Sequence, residues 1–383
     1  MSLVTARWQF HYHLANLFLR LHRFEAAANA YGRALRARPD DPDLQFQRAW
    51  SLLEVPNRRV EGITAFENLM KSSPSASGYY LMACGLQKEF RHQEAVLAFR
   101  EAARLDSWVG ADFHYNHGVS LGALGRFEEA ADAYQTAAQL NPSDGEAWGN
   151  LGATLAELGR WKDAAPCQER AMRLAPSVLH GRNLGETLYE LNRLDEAERA
   201  LRDCLAIEPR STDVKEALAV ILAGQDRYDD ALTLAQELCA VKPVALSSRV
   251  VLAGVLMEAG RLEEALQEAI AAGEADPSDP RAQFVLGSIY VKMNNGAAAL
   301  AAVERGQSCL DQSTEGLSVS SRVLSAAGRG NALSVLGRHE EAVSAFEEAL
   351  RVDPGFFERW PEMRLQYDRS SRETERSRPE GIS

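Results

Sequence analysis

The sequence predicts an all-α solenoid of about ten helical hairpins, ending in a capping helix. Three observations carry this. Prolines return at a nearly constant interval: Pro142, Pro176, Pro209, Pro243 and Pro277 lie 34, 33, 34 and 34 residues apart, and Pro39 and Pro74 lie 35 apart. Two columns in that register are almost entirely small. Each unit also reads as an amphipathic helix, a stop residue and a second helix. Repetition at such a period is the mark of stacked supersecondary units.

Phasing on the prolines gives units that begin at Trp8, Asp43, Ala76, Ala111, Gly145, Val178, Thr212, Leu246, Pro280 and Val323. Position 20 then reads Ala27, Gly62, Ala95, Ala130, Ala164, Ala197, Ala231, Ala265, Ala299 and Ala342. Position 8 is Ala or Gly in every unit except at Trp50. Small residues in two fixed columns mean that two helices approach closely, where a larger side chain would overpack the contact. In the fifth unit Trp148, Leu151 and Leu155 form the stripe of the first helix. Gly159 stops it and Trp161 opens the second helix. The stop position is Gly125, Gly159, Gly260 or Gly337 in four units and Asn57, Asn192, Asp226 or Asn294 in four others, all tolerant of left-handed backbone. His22 and Phe90 fit it poorly. The closing proline ends the second helix because it has no N–H to donate. Starts such as Ser143–Glu146 look like capping boxes for the next unit.

Trp148, Leu151, Gly152, Leu155, Ala164, Ala171 and Pro176, repeated in the fourth unit as Gly118, Leu121, Ala130, Tyr134, Ala137 and Pro142, resemble the tetratricopeptide repeat (TPR). The resemblance covers about residues 8–356 and implies a right-handed superhelix. It is similar to the TPR arm of O-linked N-acetylglucosamine transferase, without a catalytic domain. The expected organisation is a solenoid over 1–356, irregular near 313–322, a capping helix over 357–369, and a disordered polar tail over 370–383. The nine residues added between the last two units either lengthen a helix or form a loop. Phe357, Trp360, Met363 and Tyr367 are spaced to pack as the cap.

By the same resemblance the first helices line a concave groove that binds an extended peptide or a partner protein. Asn116, Asn150 and Asn183 share position 6, and the resemblance implies an amide ladder on a peptide backbone. Asn offers a donor and an acceptor to any peptide unit; the alternative is that these amides bridge local backbone. Tyr12, Tyr80 and Tyr115 recur at position 5, where Arg182 stands in the sixth unit, and either present an interface or fill space. Asn16 belongs to the same groove columns. Glu146, Glu186, Asp213 and Glu216 bias the groove toward a basic segment bound in a salt-sensitive way. The basic clamp that holds chaperone C-termini in some family members is missing: the positions around Asn16 are Tyr12, Gln47 and Ser51.

Other function classes fit poorly. The chain is 46% hydrophobic and 25% charged with a net charge of −12, which disfavours nucleic-acid partners. No apolar stretch is long enough to span a bilayer. No secretory leader is recognisable, and five scattered cysteines give no disulfide framework, so the cytoplasm is the expected compartment. His114 and His117, or His11 and His13, lack a third ligand at recognisable spacing. Cys84 falls in the groove without a base or an oxyanion site. No phosphate loop, nucleophile elbow or dinucleotide fingerprint is present. Catalytic residues, metal and cofactor are therefore all expected to be none. The recurring Arg after the stop residue reads as scaffold electrostatics. The leading expectation is a non-enzymatic binding scaffold or adaptor. The alternatives are a recruiting subunit of a separate enzyme such as a glycosyltransferase, and an assembly factor that uses its convex face and tail. Partner identity and oligomeric state stay open.

Overall fold

The computed structural model describes residues 3–106, 110–241, 244–312 and 319–377. These residues are helical throughout, with no strand among them, and the chain divides into two compact units, Met1–Pro142 and Ser143–Ser383.

The first unit holds four hairpins: α1 (Leu3–Arg20) on α2 (Phe24–Leu35), α3 (Pro42–Leu53) on α4 (Arg59–Ser72), α5 (Ala76–Lys88) on α6 (His92–Leu105), and α7 (Ala111–Ala123) on α8 (Phe127–Leu140). The second unit holds six: α9 (Gly145–Glu157) with α10 (Trp161–Leu174), α11 (Val178–Glu190) with α12 (Leu194–Ile207), and α13 (Thr212–Gly224) with α14 (Tyr228–Ala240). They continue as α15 (Leu246–Glu258) with α16 (Leu262–Ala275), α17 (Pro280–Lys292) with α18 (Gly296–Asp311), and α19 (Val319–Val335) with α20 (His339–Val352). A short α21 (Phe356–Arg359) and a long α22 (Pro361–Ser377) follow.

Packing explains the small columns. Ala27, Ala95, Ala130, Ala164 and their equivalents at position 20 are completely buried. At Gly62 in that column an added Cβ would lie 2.8 Å from the Leu53 backbone nitrogen. Position 8 faces the side chain four residues beyond position 20: a Cβ on Gly118 would sit 2.9 Å from the Tyr134 ring, and one on Gly185 2.7 Å from Leu201. The rings of Tyr134 and Phe346 therefore seat on bare helix backbone at Gly118 and Gly330.

The stop positions adopt the left-handed conformation at Gly125, Gly159, Gly260, Gly337, Asn192, Asp226 and Asn294. His22 (φ 54°) and Phe90 (φ 57°) adopt it too, despite their side chains. Asn57 does not: Pro56–Arg58 forms a 3₁₀ turn there, so the third and fourth helices are joined differently. The capping residue before α9 is Asp144, which accepts from the N–H groups of Glu146 (3.0 Å) and Ala147 (3.2 Å). The recurring Arg opens the second helix rather than closing the first. Arg126, Arg193, Arg261 and Arg338 each clamp the glutamate three residues on, at 2.5–2.7 Å. That acidic residue lies in the first turn, where the helix dipole favours it.

At the C-terminal end α19 is 17 residues long against 13 for α17, so part of the added sequence lengthens a first helix; residues 313–318 lie outside the described residues. Phe357, Trp360, Met363 and Tyr367 pack against the core of α19 and α20. Of the segment expected to be disordered from 370, residues 370–377 continue α22, and Ser370 is buried with its hydroxyl 3.1 Å from that of Ser334. Residues 378–383 lie outside the described residues.

The second unit curls until its ends meet. Arg359 of α21 stands 3.5 Å from Glu190 of α11, and its guanidinium lies over the Trp161 ring of α10, 5.6 Å from the centroid. Glu358 is 3.8 Å from Lys162, and the Val319 side chain abuts Gly159. The C-terminal end therefore packs against α10 and α11 as well as against α19 and α20.

Candidate functional site

Successive first helices α9, α11, α13, α15 and α17 pack side by side and line the concave face of the second unit. Together with Trp161 and Gln168 of α10 they line an open cavity of about 710 Å³, within the range of ligand sites. Five carboxylates line it (Glu157, Glu186, Glu190, Asp213 and Glu216) against two guanidiniums, Arg182 and Arg281.

The carboxylates differ in how well they are satisfied. Glu216 accepts from the hydroxyls of Ser247 (2.8 Å) and Ser248 (2.6 Å). Glu190 has Arg359 beside it, but burial dominates and holds its carboxyl above the usual range. Glu157 is raised by burial and then by the charge of Glu186. Glu186 opens on the cavity with its side chain 59% exposed, and the desolvation left by the surrounding protein still raises its carboxyl further than Arg182 lowers it. Arg182 lies 3.6 Å from both Glu186 and Asp213, within ion-pair range but too far for hydrogen bonds. The cavity is an acidic place short of positive charge.

Three of the residues singled out from sequence, Arg182, Asn183 and Glu186, line this cavity, as do Asp213 and Glu216. Asn150 is half-buried on α9, does not line the cavity, and its carbonyl accepts from Thr154 Oγ1 at 2.7 Å. Glu146 points its carboxylate to within 3.8 Å of His180 Nε2.

The remaining residues belong to the first unit and are engaged there. Asn116 Nδ2 donates to the Tyr80 hydroxyl at 3.0 Å, and the Asn116 carbonyl accepts from Gln87 Nε2 at 3.0 Å. Tyr80 also packs against Phe99 and Phe113, and burial pushes its phenol up to about 12. Asn16 Oδ1 accepts from the Tyr31 hydroxyl, against whose ring Tyr12 packs; Tyr115 packs on Tyr134. His117 lies between Phe99 and Phe113, and burial lowers its imidazole to about 4. No group of three or more His, Cys, Asp or Glu placed to hold a metal occurs among the described residues.

Tetratricopeptide repeat family models match residues 12–55, 115–178, 182–245, 217–280, 250–312 and 327–356, well over half of the chain. The chain belongs to the tetratricopeptide repeat family. A curated relative, human Protein O-mannosyl-transferase TMTC1, is 25% identical over 142 residues, covering 36% of this chain and 16% of that protein. The chain thus spans about a sixth of that relative's length. A tetratricopeptide repeat protein from Parabacteroides merdae has a similar structure, with TM-score 0.51, 15% identity, and coverage of 68% of this chain and 98% of that one. YrrB, described as a TPR protein with an unusual peptide-binding site, gives TM-score 0.44 at 22% identity, covering 49% of this chain and 96% of that one.

Sequence reasoning missed several lining residues: Trp161, Gln168, Thr187, Glu157 and Glu190. One signal could have found Gln168. Four residues after the position-20 column each TPR unit places Tyr31, Phe66, Phe99, Tyr134, Gln168, Leu201, Ala235, Ala269, Val303 or Phe346, all buried. A lone glutamine in that apolar column is a local violation of the pattern, which is where function is to be sought. No helix among the described residues is long and apolar enough to cross a membrane.

Proposed function

We propose that this TPR protein is a non-enzymatic interaction module of the cytoplasm, and that the concave face of its second unit binds a basic segment of a partner protein. The observation that carries the reading is the cavity with five carboxylates and two guanidiniums, on the face formed by the first helices. Its unmet charge favours a cationic guest and steers encounter. Asn183 is the amide placed to hold the backbone of such a segment. Asn116 donates one of its two amide hydrogens to Tyr80 and lies in the first unit, so the part of the ladder on this face is Asn183, with Asn150 beside it in the same unit. An adaptor role follows if one partner occupies this face while another uses the exposed convex helices.

The test is affinity capture of a basic peptide array on the full chain, followed by anisotropy titration of the strongest binders. Affinity should fall when salt rises from low to physiological strength, and Asn183→Ala should weaken binding about two- to tenfold, as expected for one hydrogen bond. Binding that ignores both salt and Asn183 excludes this face.

A second reading is favoured by one observation, the match to part of a human O-mannosyl-transferase. In it the chain recruits substrates for a separate glycosyltransferase. Co-purification of transferase activity with the chain, lost on Glu186→Lys, would support that version; capture of partners with no such activity would leave the simple adaptor.

A further inference from the structure

Three neutral polar groups are buried at the cavity without a partner. Gln168 is 1% exposed, and neither its Oε1 nor its Nε2 has a hydrogen-bond partner among the described residues. Swapping the two ends of the amide does not help, because both are unmet. Thr187, also 1% exposed, has an unpartnered Oγ1, and Trp161, 9% exposed, has an unpartnered indole N–H. All three line the same cavity. Imidazole nitrogens of His92, His117 and His339 fall in the same class among the described residues, and for them the tautomer decides whether a proton is present at all.

Buried polar groups are normally hydrogen-bonded, so a cluster of unmet ones at a cavity marks where a ligand supplies the bonds. The set is mixed. Gln168 Oε1 and Thr187 Oγ1 accept; Gln168 Nε2 and Trp161 Nε1 donate. The matching guest therefore brings several donors and at least one acceptor close together. It also brings positive charge, because Glu157 and Glu186 line the same space with no cation at hydrogen-bonding distance among the described residues. A guanidinium has five donors in a plane, suits several acceptors at once, and stacks on indole. The chain itself shows that pairing at the edge of the cavity, where Arg359 lies over Trp161 beside Glu190. A lysine ammonium answers the charge but offers three donors from a single point in place of five across a planar fork.

We propose that Gln168, Thr187 and Trp161, with Glu157 and Glu186, form a socket for the guanidinium of an arginine, whose adjacent carbonyl or carboxylate accepts from the Gln168 amide and the indole. The socket rests on the reading that the concave face of the second unit binds a segment, and names the side chain that segment must carry. Free arginine offers the same chemistry as an arginine residue, and the experiment separates the two.

The chain itself supplies conservative substitutions. Gln168→Leu introduces the residue found at Leu201 in the same column, and Thr187→Val the residue found at Val255. The full-length protein is mixed with a library of acetylated, amidated heptapeptides with varied flanks and Arg, Lys or citrulline fixed at the centre, and retained peptides are counted by mass spectrometry. Arg peptides should be enriched about tenfold or more over Lys and citrulline peptides, the loss expected when a charge-assisted hydrogen bond goes unmade. Both variants should shrink the Arg-over-Lys ratio to about twofold by the same arithmetic while still retaining basic peptides. Equal retention of Arg and Lys peptides, or a ratio untouched by both variants, overturns the socket and leaves the acidic groove standing. Retention of no peptide class overturns the groove. If in that case L-arginine alone binds by calorimetry and Gln168→Leu abolishes it, the guest is the free amino acid and the socket is upheld.

Discussion

Replacing Gln168 with leucine should make the second unit more stable. The amide sits in a column that is otherwise apolar or aromatic, is 1% exposed, and leaves both its donor and its acceptor unmet. An unsatisfied buried polar group costs about 1–3 kcal/mol, and replacing it by an apolar group of similar shape removes that cost. Leucine keeps the Cγ that packs against Gly152 and leaves little void. A net gain of about 1–3 kcal/mol corresponds to roughly 3–10 °C in melting temperature for a unit of this size. Gln168→Ala removes the same amide but opens a cavity, so its gain should be smaller or absent. Calorimetric melts of wild type and both variants, with urea titrations followed by far-UV circular dichroism, provide the measurement. A leucine variant that melts at or below the wild-type temperature would mean that the amide is satisfied in the native protein, and the case for a stability cost kept for binding would collapse. The stabilised variant should also be the one that loses arginine preference, the trade-off expected where a site is held unsatisfied for a ligand.

Further expectations follow from the same contacts. Glu186 has its carboxyl raised by desolvation, so the folded state binds its proton more tightly than the unfolded chain; its contribution is neutral well below pH 4.5 and becomes unfavourable as pH climbs from there to the raised value, by an amount that solvent screens because the side chain is 59% exposed. Glu186→Gln should therefore raise the melting temperature at pH 7 and leave it unchanged near pH 3.5. His117, lowered to about 4, works the other way: between roughly pH 6.5 and 4 the unfolded chain takes up a proton that the folded chain refuses, and stability drops as pH falls. His117→Leu should flatten that part of the pH–stability curve of the first unit, and an unchanged slope would mean that the imidazole is not what titrates. Phe90 is 84% exposed at φ 57°, so Phe90→Gly should stabilise the first unit by about 1 kcal/mol, read from its urea midpoint. Arg359→Ala, which frees Glu190 and uncovers Trp161, should increase hydrogen exchange in α21 and at the start of α10; unaltered exchange would show that the return contact carries no stability.

How much could be read beforehand depended on whether the physics was local. Hairpins, stop residues and the two small columns were legible because each is a short-range requirement repeated in register. Even the strained stops at His22 and Phe90 were located, since the column predicted left-handed backbone that those side chains resist. Asn57 went astray because Pro56 favours a tight 3₁₀ turn at the same place. The length of α22 was underestimated from its polar composition; Ser370 meeting Ser334 and Tyr367 lying on Phe346 hold its first part to α19 and α20. Those contacts join residues far apart in sequence, and no periodicity reports them. The site was only half legible for the same reason. Arg182, Asn183, Glu186, Asp213 and Glu216 came from groove columns of the first helices, and the structure gathers them around one cavity. Gln168 lies on a second helix, outside the columns associated with binding, and the contact of Arg359 with Glu190 spans most of the unit. Asn116 shares a position with Asn183, but its column does not report that Tyr80 stands opposite it and accepts one of its two amide hydrogens.

Hydrogen exchange of the full chain, with and without a saturating basic heptapeptide centred on arginine, bears most directly on where the partner sits. Protection should rise along α11 and α13, whose side chains line the cavity, and stay unchanged in α12 and α14 behind them. Protection confined to the second helices or to the first unit, with α11 and α13 unaffected, would place the partner elsewhere and contradict a concave binding face in residues 143–383.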